Sequence, residues 1–270
     1  YMIGFIGGGN MAEALIKGLI QSSLSVVRGE RNNIIVSEPR EDRRAYLEKT
    51  YGIRTTSHSR DVISSSNIII LAVKPQNISE VLDEISDLVN EEKTIVSVAA
   101  GITLSYLQSK LNTKRLIRVM PNTPALVQEG MSVMSMCECF SDKDISTVRE
   151  IFMSVGKVIA MPERYLDAVT ALSGSGPAFI SLFLEAMIEG GIRIGLDRDN
   201  ATELVIQTMI GTARLLENGM MPETIRDMVT SPNGTTAAGL QVFEDRGFKE
   251  IVSEVLVAAK KRAEELGRRQ

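Results

Sequence analysis

The chain has 270 residues, 44% of them apolar and 24% charged, which suffices for a buried core and, at roughly 150 residues per domain, for two domains. A net charge of −4, few aromatics and no tryptophan argue against a nucleic-acid partner, which needs a basic face and stacking platforms. Cys137 and Cys139 form a C-x-C pair far from the one histidine, His58; this is not a zinc spacing, and the pair reads as thiols of a reducing compartment. No apolar run approaches the ~20 residues of a membrane span. Met2 reads as the natural start, with Tyr1 outside it, and no leader-like segment precedes the first strand, so a cytoplasmic protein with no membrane partner is expected.

In chain order, residues 2–6 read as a short buried strand and 10–21 as a helix with Met11, Leu15, Gly18 and Leu19 on one face. A strand at 34–37 and a charged helix at 40–50 follow. Residues 68–73 are a third strand, whose unbroken apolar run suits a parallel sheet covered on both faces. Next come a helix at 78–89, a strand at 94–99, a helix at 104–111, and strands at 115–120 and 130–136. Beyond Asp142 the periodicity is mostly helical, with 157–161 the one strand-like stretch and long amphipathic runs at 175–194, 199–218, 235–246 and 249–267. The expected fold class is α/β: an N-terminal Rossmann-type doubly wound sheet over 1–162 and a C-terminal all-helical domain over 163–270.

Ile6 runs directly into Gly7, Gly8, Gly9, Asn10, Met11 and Ala12, a G-x-G-x-x-A string between a strand and a helix. Its first glycine permits the tight turn, Gly9 lets a pyrophosphate approach the backbone, and Ala12 lets helix and strand pack. The N–H groups of the helix start favour the anion. At the end of the second strand, Glu38 suits the ribose 2′-hydroxyl of NADH, while Arg40 and the Arg43–Arg44 pair suit the 2′-phosphate of NADPH. Both cofactors stay open. The segments Ala72, Val73, Lys74, Pro75 and Ala99, Ala100, Gly101 follow later strands, at the carboxyl edge where ligands bind in such sheets. Lys74 reads either as a partner of phosphate or ribose or as a solvated turn residue.

Three further strings stand out: Met120 through Pro124; Ala171 through Pro177, with Pro177 placed for a first helical turn; and Ser231 through Ala237. The last offers hydroxyls and free N–H groups that read as a carboxylate cradle or as an ordinary helix start.

Together, Gly4 through Met11, Ala72 through Gln76, Met120 through Pro124, Leu172 through Ala178 and Ser231 through Thr236 resemble, in order and spacing, the pyrroline-5-carboxylate reductase family over roughly residues 2–267. The resemblance implies reduction of the cyclic imine Δ1-pyrroline-5-carboxylate to L-proline with NADPH or NADH. It implies a helical dimerisation domain and a homodimer or larger assembly, commonly a decamer. By position it implies that Thr236 hydrogen-bonds the imine nitrogen and that Ser231, Asn233, Gly234 and Thr235 help hold the carboxylate. Asn122 and Pro124 would lie near the nicotinamide. Three departures are visible: Glu38 where members taking NADP commonly have a small hydroxyl residue, Ser59 where an Asn near the adenosine is frequent, and Asn233 in place of a frequent glycine.

The residue inventory suits imine chemistry. Ketone reduction leaves an alkoxide that needs a strong acid nearby, and the one histidine, His58, sits in a polar loop on the expected adenosine side. A cyclic imine protonates near neutral pH, so the protein need only orient the ring, supply one hydrogen bond and exclude water. A β-hydroxyacid dehydrogenase would place a lysine early in its central helix, and residues 174–183 contain none. A non-catalytic nicotinamide sensor would have no use for the Ser231–Thr236 loop.

Overall fold

The computed structural model describes residues 2–22, 31–137 and 142–268; Tyr1 and Cys139 lie outside them. The chain divides into two compact units, residues 1–175 with 259–270, and Gly176–Ala258.

Unit 1 holds one eight-stranded sheet: β1 (Ile3–Ile6), β2 (Ile34–Ser37), β3 (Arg54–Thr56), β4 (Ile68–Leu71), β5 (Thr94–Ser97), β6 (Leu116–Met120), β7 (Gly130–Met136) and β8 (Gly156–Ala160). Their order is β3-β2-β1-β4-β5-β6-β7-β8. Neighbours pair in parallel throughout except β6 with β7. The order reverses between β1 and β4, the switch point at which doubly wound sheets open a crevice.

Period-two alternation with both faces covered explains why the central strands are mostly apolar. Ile3, Phe5, Ile34, Val36, Ile68, Ile70, Val96 and Ile117 face one core, with α1 (Asn10–Gln21), α2 (Glu41–Tyr51) and α6 (Asp142–Met153). Ile6, Ile35, Ile69, Leu71, Ile95 and Leu116 face the other, with α3 (Ser59–Ser65), α4 (Ile78–Ile85) and α5 (Leu104–Lys110). The sequence reading misses β3 and α3. β3 is a three-residue polar edge strand, too short and too hydrophilic to show a pattern, and it is recruited by pairing with β2. The helix expected to reach residue 89 ends at Ile85 and continues only as a 3₁₀ turn, Ser86–Leu88.

Past β8 a short helix, α7 (Leu166–Val169), runs into a π-helical turn over Thr170–Gly174. Unit 2 contains α8 (Gly176–Arg193), α9 (Arg198–Glu217), α10 (Pro222–Val229), α11 (Thr235–Asp245) and the first half of α12 (Phe248–Arg268), whose last turns belong to unit 1. Asp197 caps α9 by accepting the Asn200 N–H at 3.0 Å. Phe243 and Phe248 pack as a tilted pair with centroids 4.7 Å apart. Ala201 and Val205 of α9 are buried, but most large apolar side chains of these helices are exposed.

Candidate active site

The loops that follow β1, β2, β4 and β5 are tied together across the carboxyl edge of the sheet. Gly7 N–H donates to Ser37 O at 2.8 Å, Ala72 N–H to Ile6 O at 2.8 Å, and Val98 N–H to Leu71 O at 3.2 Å. Gly7 takes a φ of +100°, and a Cβ there would sit 2.7 Å from Ala72 O, so the turn demands glycine. Gly9 differs: it caps α1 with no side-chain hydrogen bond, and a Cβ built on it meets nothing within 4 Å. An uncapped helix start above open space is the cradle a pyrophosphate fits. Asn10 and Met11 open α1 there, while Ile6 is buried in the second core face.

Glu38 stands at the centre of this edge and is only 6% exposed. Its Oε2 accepts Gly8 N–H at 3.1 Å, and its Oε1 accepts both the backbone N–H (3.2 Å) and the Nε–H (3.0 Å) of Arg40. Arg43 donates from Nε to Gly8 O at 2.7 Å and pairs through Nη2 with Glu13 on α1. Arg44 Nη1 donates to the carbonyls of Glu38 and Pro39, each at 2.8 Å. Burial pushes the Glu13 carboxyl up, but hydrogen bonds from Tyr51, Arg43 and Tyr46 outweigh it and hold the group below the usual carboxylate range. The same contact with Glu13, added to burial, raises the Tyr51 phenol.

The remaining expected positions fall on or near this edge with differing surroundings. Lys74 is exposed and precedes a 3₁₀ turn over Pro75–Asn77, within the segment that runs on from Ala72 and Val73. Ala99 is buried and Ala100 half-buried, while Gly101 packs against Leu266 and Gly267 at the end of α12. Ser59 opens α3 and bonds Glu84 Oε2 at 3.1 Å. His58 precedes it, exposed.

Asn122 follows β6, and both ends of its amide are engaged: Oδ1 accepts Met131 N–H at 2.8 Å and Nδ2 donates to Ser173 O at 3.1 Å. Pro177, four residues after Ser173, has no N–H to offer that carbonyl, so Asn122 takes the donor's place. Pro124 lies in the 3₁₀ turn Thr123–Val127. The π turn closes with Ser175 N–H on Thr170 O at 2.8 Å; such turns recur at functional sites. The sequence reading has a turn before the long helix here, whereas helical backbone runs almost unbroken from Glu163 to Arg193. It also passes over Arg118, a 4%-exposed cation in β6 that meets Glu163 Oε1 at 3.1 Å and Asp167 Oδ1 at 3.8 Å. One charge inside an otherwise apolar parallel strand is the signal that could have found it.

In unit 2, the loop Ser231–Gly234 leads into α11. Gly234 N–H donates to Ser231 O at 3.0 Å, and Gly234 caps α11 without a side-chain bond. A Cβ at Gly234 would sit 2.3 Å from Ser231 Oγ. Asn233 has a φ of +58°, in the left-handed region. Ser231, Asn233 and Thr235 are exposed and Thr236 is half-buried.

The reversal of strand order between β1 and β4, the open cradle at Gly9 and the carboxylate just past β2 define a Rossmann-type dinucleotide-binding protein. Residues 2–101 match the family described as NADP oxidoreductase, coenzyme F420-dependent, and residues 163–266 match pyrroline-5-carboxylate reductase dimerisation. The pyrroline-5-carboxylate reductase of Pisum sativum is 41% identical over 98% of this chain and 96% of its own. The solved structure of a pyrroline-5-carboxylate reductase from Coxiella burnetii has a TM-score of 0.89 at 34% identity, covering 98% of both chains. That of the Plasmodium falciparum enzyme with NADP bound has a TM-score of 0.87 at 30% identity, covering 98% of this chain and 97% of the other. The chain belongs to the pyrroline-5-carboxylate reductase family.

Proposed function

We propose that this protein reduces Δ1-pyrroline-5-carboxylate to L-proline with NADPH or NADH, the last step of proline biosynthesis. The observation that carries the reading is the 41% identity with a pyrroline-5-carboxylate reductase over nearly the full length of both chains. The bound cofactor supplies the hydride that reduces the C=N bond. Ile6 to Met11, Glu38, Arg40, Ser59, Ala72 to Pro75 and Ala99 to Gly101 are assigned to the cofactor, with Asn122 and Pro124 beside its nicotinamide. The uncapped start of α11, with Ser231, Asn233, Gly234 and Thr235, takes the substrate carboxylate. The Thr236 hydroxyl hydrogen-bonds the ring nitrogen and fixes the ring for addition at the neighbouring carbon; the nitrogen ends as a secondary amine, so no alkoxide needs a strong acid.

The functional boundary is assigned at 162/163, with a dinucleotide-binding domain before it and a substrate-binding and dimerisation domain after it; the dimerisation match beginning at residue 163 supports this. The run Glu163–Arg193 is long and apolar enough to cross a membrane by composition, and only 11% of its most apolar window is buried. Because it lies in the dimerisation match, that face is assigned to a second copy of the chain in a homodimer or a larger assembly up to a decamer, in the cytoplasm, with neither membrane nor nucleic acid as partner.

The test is absorbance at the reduced-nicotinamide band with Δ1-pyrroline-5-carboxylate, for wild type and Thr236→Ala. Wild type should oxidise either cofactor only when the imine is added. The variant should lose about ten- to a hundredfold in kcat, as for loss of one positioned donor, with cofactor affinity unchanged. No oxidation by folded protein that binds NAD(P)H overturns the substrate; full turnover by the variant removes Thr236 from the site.

A further inference from the structure

We infer that Glu38 makes this enzyme select NADH over NADPH, by holding a fixed buried carboxylate where a ribose 2′-phosphate would lie. The inference rests on the cofactor reading above and departs from the NADP named in the matched family and in the Plasmodium structure.

Position comes first. Glu38 directly follows β2, the strand next to β1, where the acidic residue of a dinucleotide fold meets the ribose 2′-hydroxyl. A carboxylate can accept from a hydroxyl and cannot accept from a phosphate carrying no proton. Glu38 also cannot turn aside at low cost. Its Oε2 satisfies Gly8 N–H at 3.1 Å in the glycine loop itself, so withdrawing it orphans a buried donor.

The three arginines that could offset the repulsion are engaged. Arg43 spans Gly8 O and Glu13, where its side chain is 16% exposed, and leaving would strip Glu13 of its cation. Arg44 is committed to two backbone carbonyls. Arg40 has a 62%-exposed side chain and could reach outward, but only by leaving Glu38, whose carboxylate would then face the phosphate without its counter-charge. Phosphate and carboxylate thus compete for Arg40, whereas a ribose diol asks for no cation.

The experiment is calorimetric titration of the full-length protein with NADH and with NADPH, for wild type, Glu38→Gln and Glu38→Ser, with circular-dichroism melting as the folding check. Glu38→Gln removes the charge and keeps an acceptor for Gly8 N–H, so it carries the test should the serine variant lose its fold. Wild type should bind NADPH about tenfold or more weakly than NADH, and Glu38→Gln should bring the ratio to within about threefold by relieving like-charge contact. Wild type binding NADPH as tightly as NADH overturns the inference, as does an unchanged ratio in Glu38→Gln. Failure of wild type to bind either cofactor overturns the cofactor reading itself, and the selectivity with it.

Discussion

In unit 1 the central strands bury Phe5, Ile69 and Ile117 completely, between helices on both faces of the sheet. In unit 2 Leu182 of α8 is 66% exposed and Leu204 of α9 is 56% exposed, and Ile180, Met228 and Val257 are exposed as well. Both units are rich in apolar residues; the first buries most of its own within the chain, the second few. Exposed apolar side chains in this number suit an interface, and the dimerisation match covers the helices that carry them. The division extends to the proposed chemistry. The proposed cofactor loops hang on the buried sheet, while the Ser231–Thr236 loop hangs on helices proposed to pair with a second chain, so substrate handling should depend on assembly and cofactor binding should not.

The largest expected effect breaks the second half of that comparison. Leu182→Glu combined with Leu204→Glu places charges on the exposed faces of α8 and α9 without touching the sheet core. Sedimentation should show monomer, and activity should fall by about a hundredfold or more, because a charge buried in an interface without a partner costs several kcal/mol. NADH affinity should stay within about threefold, since unit 1 is unaffected. An intact oligomer with full activity would contradict the interface.

The reverse dissociation comes from Gly9→Val. A Cβ there meets nothing within 4 Å, so melting temperature and assembly should hold, while the branched side chain fills the cradle. Affinity for both nicotinamide cofactors should drop by about a hundredfold, as expected where only glycine lets pyrophosphate reach the backbone. Unchanged titration curves would mean the cradle is not the phosphate site.

Legibility in the sequence follows the same division. The buried strands of unit 1 were readable because most carry a short run of Ile, Val and Leu, and the glycine loop because its spacing sits between a strand and a helix. β3 was not, since Arg54, Thr55 and Thr56 owe their strand to pairing with β2. The state of the arginines was equally hidden: the sequence offers Glu38, Arg40, Arg43 and Arg44 as a balance of charges, and only the fold shows that Glu13, thirty residues from Arg43, engages one of them. Nor does periodicity tell a helix face that meets its own core from one that meets another chain, which is why 175–194 reads simply as amphipathic.

The smallest effect sharpens the comparison inside the proposed substrate loop. Asn233 sits at a φ of +58°, in the left-handed region that glycine enters freely and that asparagine is among the few other residues to tolerate. Asn233→Gly should therefore leave the KM for the imine within about twofold, the side chain being exposed and the backbone already suited. Asn233→Val requires a β-branched residue in a region that costs about 1–2 kcal/mol, and should raise that KM by about five- to thirtyfold with cofactor affinity unchanged. The pair separates backbone from side chain. If both variants raise KM alike, the Asn233 amide contacts substrate; if only valine does, the residue serves by holding the turn that presents Gly234 and the start of α11.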